Sequence, residues 1–274
     1  MKKKTKTFSL LCFQVFFTIF ALASIVVVTK YPKVFNQKIS ILDTQRLKKK
    51  EMLEPVVMIA TDNSLGTGVI VKRSFVETTD MFDYEVITSS HVISPRMINV
   101  TTNVDVITGK EEKLLVDTGF FVYVFPKHGR PVQTYIAYVN REDQPRDVSI
   151  ITFSAKEKIS VARLATKQVM GSLRIFDQVF SVSCPNGLHP TPTVGIISRL
   201  TLSDPDIQQK IIENTANTLP GSSGGGLFKE YEGHYYLIGI HERVFYLNTN
   251  QIVPYLSFSI SLEAVIDSLF GNQN

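Results

Sequence analysis

The chain has 274 residues, of which 44% are hydrophobic and 20% are charged, and it contains two cysteines. The apolar content excludes a wholly disordered protein, and two cysteines exclude a small scaffold built from disulfides. Residues 1–50 contain 11 Lys or Arg and one acidic residue, whereas residues 51–274 contain 18 basic and 24 acidic residues. The formal net charge of +4 therefore resides in the N-terminal arm, and the mildly acidic body argues against nucleic-acid binding.

An uncharged apolar segment occupies residues 8–28 and follows a basic head, residues 1–7. As a helix this segment would be about 31 Å long, which matches the roughly 30 Å hydrocarbon core of a bilayer. We expect a transmembrane signal anchor with a cytoplasmic head and the body on the extracytoplasmic side. The alternative is a signal peptide cleaved after Ala21-Leu22-Ala23, with secretion of the body, although the apolar run continues beyond that site.

Residues 29–52 are polar and rich in lysine. This composition is typical of a solvated stalk between a membrane anchor and a folded body. Binding of the lysines to anionic lipid headgroups is the alternative interpretation.

From Pro55 onward the sequence consists mainly of short runs of β-branched and aromatic residues separated by turn formers. Examples are VVMIA, GVIVKR, YEVITS, GFFVYVF, DVSIITF and HYYLIGI. About a dozen such runs at short intervals predict an all-β barrel or sandwich. The C-terminal segment SLEAVIDSLF instead has its apolar residues at helical spacing, which predicts a terminal helix that Ser261 could cap.

A glycine-rich segment, GSSGGG at residues 221–226, is a candidate nucleophile loop. A nucleophilic serine requires a tight turn whose backbone N–H groups face the oxyanion formed during acyl transfer, and glycine permits that turn. Such a run in isolation is more often a flexible linker. Here TLP precedes the segment and LF follows it, which favours a structured loop.

A serine nucleophile also needs a base and an acid that orients the base. Of the five histidines, only His91 directly follows a strand-like run, YEVIT, through two serines. Asp147 opens the apolar run VSIITF after the polar stretch EDQPR, which places a carboxylate at the start of a strand. Asp143 is the alternative acid.

The order His91, Asp147, Ser223 and the segments around these residues resemble the chymotrypsin-like serine peptidases, in particular their HtrA-type and V8-like (glutamyl endopeptidase) branch. GTGVIV followed by YEVITSSHVI is similar to that branch's first barrel, in which a Gly-x-Gly strand precedes a Thr-x-x-His segment. DVSIITF resembles the acid-bearing strand, and PGSSGGGLF resembles the nucleophile loop. QVFSVSCPNGLHPTPTVGIISRL resembles the strand–loop–strand that opens the second barrel. The resemblance covers about residues 55–269.

The resemblance implies two antiparallel six-stranded β-barrels, at residues 53–158 and 159–274, with the catalytic cleft between them and the C-terminal helix in the second. It implies protein or peptide substrates. Only 51 residues follow Ser223, so we expect no appended PDZ domain of the kind that HtrA-type proteins carry. A homo-oligomer is compatible with the family but is not assigned by the sequence.

The resemblance also implies a role for each candidate residue. Ser223 would be the nucleophile, His91 the general base and then the general acid, and Asp147 the group that orients the imidazole. The backbone N–H groups of Gly221 and Ser223 would form the oxyanion hole. This chemistry requires no metal ion or organic cofactor.

Two residues suggest a substrate preference. His241, in YLIGIHERV, falls where the glutamate-specific V8-like enzymes carry a histidine, and glutamine-specific viral cysteine peptidases place one similarly. Thr218 matches the threonine that both groups use beside it. An imidazole and a hydroxyl can bind a carboxylate or a carboxamide, so the hypothesis is cleavage after Glu or Gln. A solvent-facing histidine is the alternative, and Glu242 and Val244 depart from the family's usual small residues.

The sequence thus predicts a membrane-anchored serine endopeptidase. A catalytically silent, membrane-tethered binding module on the same fold is the main alternative, because a fold does not establish an activity. An enzyme that processes only its own polyprotein or anchor is a further alternative.

Overall fold

The computed structural model describes residues 32–61, 64–94, 98–104, 111–117, 119–125, 132–204, 209–247 and 251–270. The predicted membrane anchor at residues 8–28 lies outside this described part. Among the helices that the structure does describe, none combines the length and apolar character needed to cross a bilayer. The chain divides into two compact units, Met1–Leu47 and Lys48–Asn274.

A helix of 17 residues, Pro32–Lys48, occupies most of the segment predicted as a stalk. Proline is favourable in the first turn of a helix, and the Lys, Gln, Leu and Arg residues that follow have high helix propensity. Residues 40–46 of this helix are exposed to solvent. A π-helical turn, Lys49–Leu53, then leads into the first strand.

Eight strands follow in chain order, and six of them form a closed barrel. The strands are β1 (Val56–Ala60), β2 (Leu65–Val76), β3 (Met81–Ser89), β4 (Ile98–Val104), β5 (Glu111–Asp117), β6 (Phe120–Val124), β7 (Gln133–Asp143) and β8 (Val148–Ala155). The barrel order is β1-β2-β3-β8-β7-β6, with β6 pairing back to β1, and all pairings are antiparallel. Strands β4 and β5 form a separate antiparallel hairpin.

Seven more strands form a second sheet, and six of them close into the second barrel. They are β9 (Arg163–Leu164), β10 (Gln178–Ser183), β11 (Thr191–Asp204), β12 (Gln209–Asn214), β13 (Gly226–Tyr231), β14 (His234–Leu247) and β15 (Gln251–Ser261). The order β13-β10-β11-β12-β15-β14 closes because β13 also pairs with β14, and β9 joins β14 in parallel. The described elements thus include two six-stranded antiparallel barrels, which confirms the predicted chymotrypsin-like architecture.

Apart from the π-helical turn, the described helices of the unit Lys48–Asn274 are short. They are Ser90–Ile93, Lys167–Gly171 and the C-terminal Leu262–Phe270, with 3-10 turns at Gln144–Arg146 and Pro185–Gly187.

Each barrel has its own apolar core. The first is filled by residues from all six strands, among them Val57, Ile59, Ile70, Tyr84, Val86, Phe120, Val122, Ala137, Ile151 and Phe153. The second contains Val179, Ile197, Ile212, Leu227 and Ile238. Burial of each such large side chain contributes about 1.5–3 kcal/mol. The barrels therefore provide two packed frames for the loops that carry the candidate site.

The connection between the barrels is attached to the first core through Tyr84. Its ring stacks on Phe153 with centroids 5.1 Å apart. Its hydroxyl donates to the Glu157 carbonyl at 2.7 Å and accepts from the Ile159 N–H at 2.9 Å. Because this buried hydroxyl is satisfied on both sides, it fixes the chain where it leaves the first barrel.

Candidate active site

The strand register explains how His91 and Asp147 meet. His91 lies in the short helix that follows β3, and Asp147 directly precedes β8. Strands β3 and β8 are antiparallel neighbours, and the last residue of β3, Ser89, pairs with the first residue of β8, Val148. The end of one strand thus lies beside the start of the other. His91 and Asp147, which are 56 positions apart in sequence, are therefore in direct contact.

Both carboxylate oxygens of Asp147 bind His91. The distance from His91 Nδ1 to Asp147 Oδ2 is 2.6 Å, and the His91 backbone N–H donates to Oδ1 at 2.8 Å. Because an ionised carboxylate only accepts hydrogen bonds, Nδ1 carries the proton and Nε2 is left as an acceptor. The hydrogen bond to Asp147 raises the pKa of His91 above its ordinary value; burial opposes this, and the charges of Asp147 and Glu242 add to it.

The alternative acid has a different partner. The Asp143 carboxylate accepts hydrogen bonds from the Arg146 backbone N–H and guanidinium. Asp147 itself has a φ of 55°, a left-handed conformation that aspartate adopts more readily than most residues. The tight turn before β8 therefore presents Asp147, and not Asp143, to His91.

The other histidines lie in different surroundings. The His189 ring packs on Phe125 with centroids 4.8 Å apart, and His234 Nδ1 lies 3.0 Å from Glu51. His128 lies outside the described residues. Of the histidines that the structure describes, His91 is the one that it brings to Asp147.

The candidate nucleophile loop begins with a tight turn. The Ser222 N–H donates to the Leu219 carbonyl at 2.9 Å, and Pro220 and Gly221 occupy the two central positions. Proline followed by a glycine with positive φ, here 86°, is typical of a type II turn. A Cβ atom on Gly221 would lie 2.8 Å from the Asn186 nitrogen, so both space and conformation require glycine.

Two backbone N–H groups of this loop have no acceptor among the described residues, those of Gly221 and Ser223. The carbonyls of the same two peptide units, Pro220 and Ser222, accept hydrogen bonds of 2.8 and 2.9 Å from other backbone N–H groups. Because a trans peptide points its N–H away from its C=O, these bonds fix the direction of both free donors. The loop therefore presents two oriented donors beside the Ser223 side chain.

Ser223, His91 and Asp147 line one cavity of about 420 Å³. Among the described residues Ser223 Oγ makes no hydrogen bond to His91, and it donates instead to the Glu242 carbonyl at 3.4 Å. This bond is long and therefore weak. Rotation about the Cα–Cβ bond of Ser223 redirects its hydroxyl, and such contacts often tighten only when substrate binds.

His241 also lines the cavity but is only 2% exposed. Its Nε2 lies 2.6 Å from Ser181 Oγ and its Nδ1 lies 2.9 Å from Ser259 Oγ. Burial lowers the pKa of His241 to about 4, against an opposing backbone hydrogen bond. The ring is therefore neutral near pH 7 and carries one N–H.

Thr218 lines the same cavity, and its hydroxyl is hydrogen-bonded to that of Ser257. The Ser257 hydroxyl donates to the Ala216 carbonyl at 2.8 Å, so its single proton is already used. In the 2.7 Å contact between Thr218 and Ser257, Thr218 must therefore be the donor. This leaves the Thr218 oxygen as an acceptor toward any further group.

Glu242 contributes a second carboxylate to the cavity wall. Its Oε1 lies 3.0 Å from an Arg243 guanidinium nitrogen, and its Oε2 is buried without a hydrogen-bond partner among the described residues. Burial raises the pKa of Glu242, the nearby charge of Asp147 raises it further, and Arg243 and His91 lower it.

The sequence did not indicate the hydroxyl partners of His241. Ser181 and Ser259 lie on β10 and β15, 60 and 18 positions from the histidine, and isolated serines in strand-like runs carry no recognisable signal. Within the described part of the chain, no cluster of three His, Cys, Asp or Glu residues has a metal-binding arrangement.

A family model for the trypsin-like peptidase domain matches residues 66–240. No curated protein matches the chain in sequence. The matched range covers more than half of the 274 residues and includes His91, Asp147 and Ser223. Both this match and the two six-stranded barrels support a function of the serine-peptidase type. The chain belongs to the trypsin-like peptidase domain family.

Proposed function

We propose that the chain is a serine endopeptidase that hydrolyses peptide bonds in proteins through an acyl-enzyme intermediate. The observation that carries this proposal is the His91–Asp147 pair, which leaves Nε2 as an acceptor, in the same cavity as Ser223 and the two N–H groups that have no acceptor in the described part of the chain. This arrangement provides a base, an orienting acid, a nucleophile and two oxyanion donors, which is the full set that acyl transfer requires.

In the first step the Ser223 hydroxyl turns toward His91 and attacks the carbonyl carbon of the substrate. The new bond joins Oγ to that carbon, the hydroxyl proton passes to His91 Nε2, and the carbonyl electron pair moves onto oxygen. The N–H groups of Gly221 and Ser223 bind this oxyanion, and removal of one such donor costs about 3–4 kcal/mol in a comparable enzyme. Asp147 stabilises the imidazolium that forms.

In the second step the C–N bond breaks, and His91 delivers its proton to the leaving amine. A water molecule then attacks the acyl-enzyme ester while His91 takes up one proton of the water. Collapse of this second intermediate releases the acid product and returns the proton to Ser223. The chemistry uses no metal ion or cofactor.

Hydrolysis of unfolded casein by the purified chain tests this function. We expect wild-type protein to release peptides and Ser223→Ala and His91→Ala to release none above background. The alternative, a catalytically silent binding module, predicts that the wild type is as inactive as Ser223→Ala. The bond from Ser223 to the Glu242 carbonyl favours that alternative only if it persists when a peptide is bound.

The proposed substrate preference is Glu or Gln at P1, the residue on the acyl side of the cleaved bond, because His241 and Thr218 resemble the residues that glutamate-specific V8-like enzymes and glutamine-specific viral cysteine peptidases use. His241 is neutral near pH 7 and supplies at most one N–H, which a substrate would take over from Ser181 or Ser259, and Thr218 is left with an accepting oxygen. A carboxamide contains both the acceptor and the donor that this pair can satisfy, whereas a carboxylate only accepts. The hydrogen-bond directions therefore favour Gln over Glu.

Matched peptides that differ only at P1, with Gln, Glu, Leu or Lys, test the preference. We expect the highest kcat/KM for Gln and a large loss for Leu, since a site built to hydrogen-bond a polar group rejects an apolar analogue. His241→Ala should reduce the preference. Equal kcat/KM values for Gln and Leu would overturn the assignment of His241 and Thr218.

We also propose that residues 8–28 anchor the protein in a membrane with residues 53–274 on the extracytoplasmic side. The length and apolar character of that segment support this location. Retention of the protein in the membrane fraction after an alkaline carbonate wash is the expected result. Recovery of a soluble product that begins after Ala23 would instead indicate a cleaved signal peptide.

A further inference from the structure

Thr67, in the GTG segment of β2, lies at the point where the first barrel meets the nucleophile loop. It is fully buried, and all of its polar groups are hydrogen-bonded. Its N–H donates to the Ser223 carbonyl at 2.8 Å, and its hydroxyl donates to the Gly221 carbonyl at 2.7 Å. Gly221 and Ser223, whose N–H groups have no acceptor among the residues that the structure describes, therefore both have their carbonyls bound by one threonine.

The same hydroxyl also accepts a hydrogen bond. The Cys184 N–H donates to Thr67 Oγ1 at 2.9 Å, and the Thr88 hydroxyl donates to the Thr67 carbonyl at 2.7 Å. Cys184 follows β10 of the second barrel, whereas Thr88 lies on β3 of the first. Thr67 thus connects a strand of the first barrel to two segments of the second, with both roles of its hydroxyl in use.

Two glycines, Gly224 of the nucleophile loop and Gly68 of β2, allow close packing around Thr67. A Cβ atom on Gly224 would lie 2.0 Å from the Thr67 carbonyl oxygen, and one on Gly68 would lie 2.5 Å from a Val86 methyl group. The loop therefore packs directly against the backbone of Thr67. The β-branched side chain has few rotamers, which keeps its hydroxyl in one position.

We infer that Thr67 is a positioning residue for the oxyanion hole. Because each peptide unit is planar, holding the carbonyls of Gly221 and Ser223 fixes the two peptides that flank the Ser222–Ser223 peptide. The Ser223 N–H then has a set direction before substrate arrives, and such preorganised donors are a main source of catalysis. This inference rests on the proposed peptidase function, in which those N–H groups bind the oxyanion.

The test compares Thr67→Val, which keeps the size and β-branching, with Thr67→Ser, which keeps the hydroxyl. We expect Thr67→Val to lower kcat by roughly 10–100-fold with KM changed by less than about threefold. The reason is that the N–H donors that the Thr67 hydroxyl positions bind the oxyanion, which forms only in the transition state. Thr67→Ser should retain kcat within about threefold of the wild type. The pH dependence should be unchanged in both variants, since the His91–Asp147 pair is not touched.

Thr166→Val is the control for the loss of a threonine hydroxyl that holds backbone away from the cavity. Thr166 caps the helix Lys167–Gly171 by accepting from the Val169 N–H, and it contributes nothing to the cavity wall. We expect this variant to lower the melting temperature without lowering kcat. If Thr67→Val does not fold, Thr67→Cys removes the strong hydroxyl donor from a similar volume, and the same loss of kcat is expected.

Two results overturn the inference while the peptidase function stands. One is an active wild type with Thr67→Val, or Thr67→Cys in its place, within about threefold of its kcat. The other is a Thr166→Val variant that loses as much kcat as the Thr67 variant does, which would assign the loss to stability. An inactive wild type would instead remove the proposed function, and this inference with it.

Discussion

Glu242 is the second carboxylate that acts on His91, after Asp147. Both raise the pKa of the imidazole, against the opposing effect of burial. A serine peptidase needs neutral His91, so activity is lost as the pH falls through this raised pKa. We expect Glu242→Gln to move the acidic limb of kcat/KM to lower pH, because the amide removes a negative charge that stabilises imidazolium.

The measurement is kcat/KM across the acidic and neutral range for wild type, Glu242→Gln and Glu77→Gln. Glu77 lies exposed in the turn after β2 and serves as a control for the loss of one negative charge. Its profile should coincide with that of the wild type. An acidic limb that stays in place or moves to higher pH in Glu242→Gln would contradict the electrostatic role of Glu242.

Gly221 and Gly233 form a matched pair for testing the turn of the nucleophile loop. Both have a positive φ, of 86° and 78°. A Cβ atom on Gly221 would lie 2.8 Å from the Asn186 nitrogen, whereas one on Gly233 would meet nothing within 4 Å. We expect Gly221→Ala to lower kcat by about 100-fold or more, because it displaces an oxyanion donor. Gly233→Ala should lose stability without losing kcat, and similar kcat values for the two variants would count against the assigned oxyanion hole.

The sequence could indicate His91, Asp147 and Ser223 because each is flanked by a recognisable segment. The sequence alone did not decide whether Asp147 or Asp143 is the acid. That choice depends on the left-handed backbone conformation of Asp147, which no local sequence pattern indicates. The contacts of Thr67 could not be predicted for a different reason. They join Thr67 to residues that are 117 and 154 positions away in the sequence. Such contacts follow from the docking of two barrels and not from any local pattern.

The π-helical turn Lys49–Leu53 is hydrogen-bonded to the second barrel through Glu51. This buried carboxylate accepts from Arg163 Nε at 2.8 Å and from the Tyr235 N–H at 2.9 Å, and it lies 3.0 Å from His234 Nδ1. Burial alone would raise the pKa of Glu51, but these hydrogen bonds outweigh it and lower the pKa. The segment predicted as the end of a stalk thus has a structural role in the folded body.

We expect Glu51→Ala to lower the free energy of unfolding by about 2–3 kcal/mol, because it leaves the buried Tyr235 N–H without an acceptor and removes the ion pair with half-exposed Arg163. The pKa of Glu51 is lower in the folded state, so its contribution is complete above the unfolded-state pKa. It is lost as the pH falls through the lowered folded-state pKa. Denaturant unfolding at neutral and acidic pH measures both effects, with Glu77→Ala as the control. A stability difference between Glu51→Ala and wild type that grows on acidification would contradict this account.

For the whole molecule, short strand-like runs separated by turn residues predicted an all-β barrel or sandwich, and the resemblance to chymotrypsin-like peptidases implied two barrels, which the strand pairing confirms. The closure of the second barrel was not visible in the sequence, because it depends on β13 pairing with both β10 and β14. The helix Pro32–Lys48 was also not predicted. Its residues have helix propensity without an apolar stripe, and composition alone favoured a stalk.

The unit Lys48–Asn274 is expected to fold without the preceding residues. A protein that begins at Lys48 should melt at the temperature of the full chain. One that begins at Pro55 lacks Glu51 and should melt roughly 5–10 °C lower, the shift that about 2–3 kcal/mol produces in a domain of this size. Calorimetry of the two truncated proteins checks this, and equal melting temperatures would show that Glu51 contributes little.

Labelling of the purified protein with a fluorophosphonate, followed by mass spectrometry of the labelled peptide, tests most directly whether Ser223 is an activated nucleophile. The phosphonate reacts with a serine only when a base activates the hydroxyl and donors stabilise the phosphoryl oxygen. We predict a single adduct on Ser223 that is absent in Ser223→Ala and strongly reduced in His91→Ala and Asp147→Ala. A folded wild type that remains unlabelled at Ser223 would contradict the assignment of a serine peptidase.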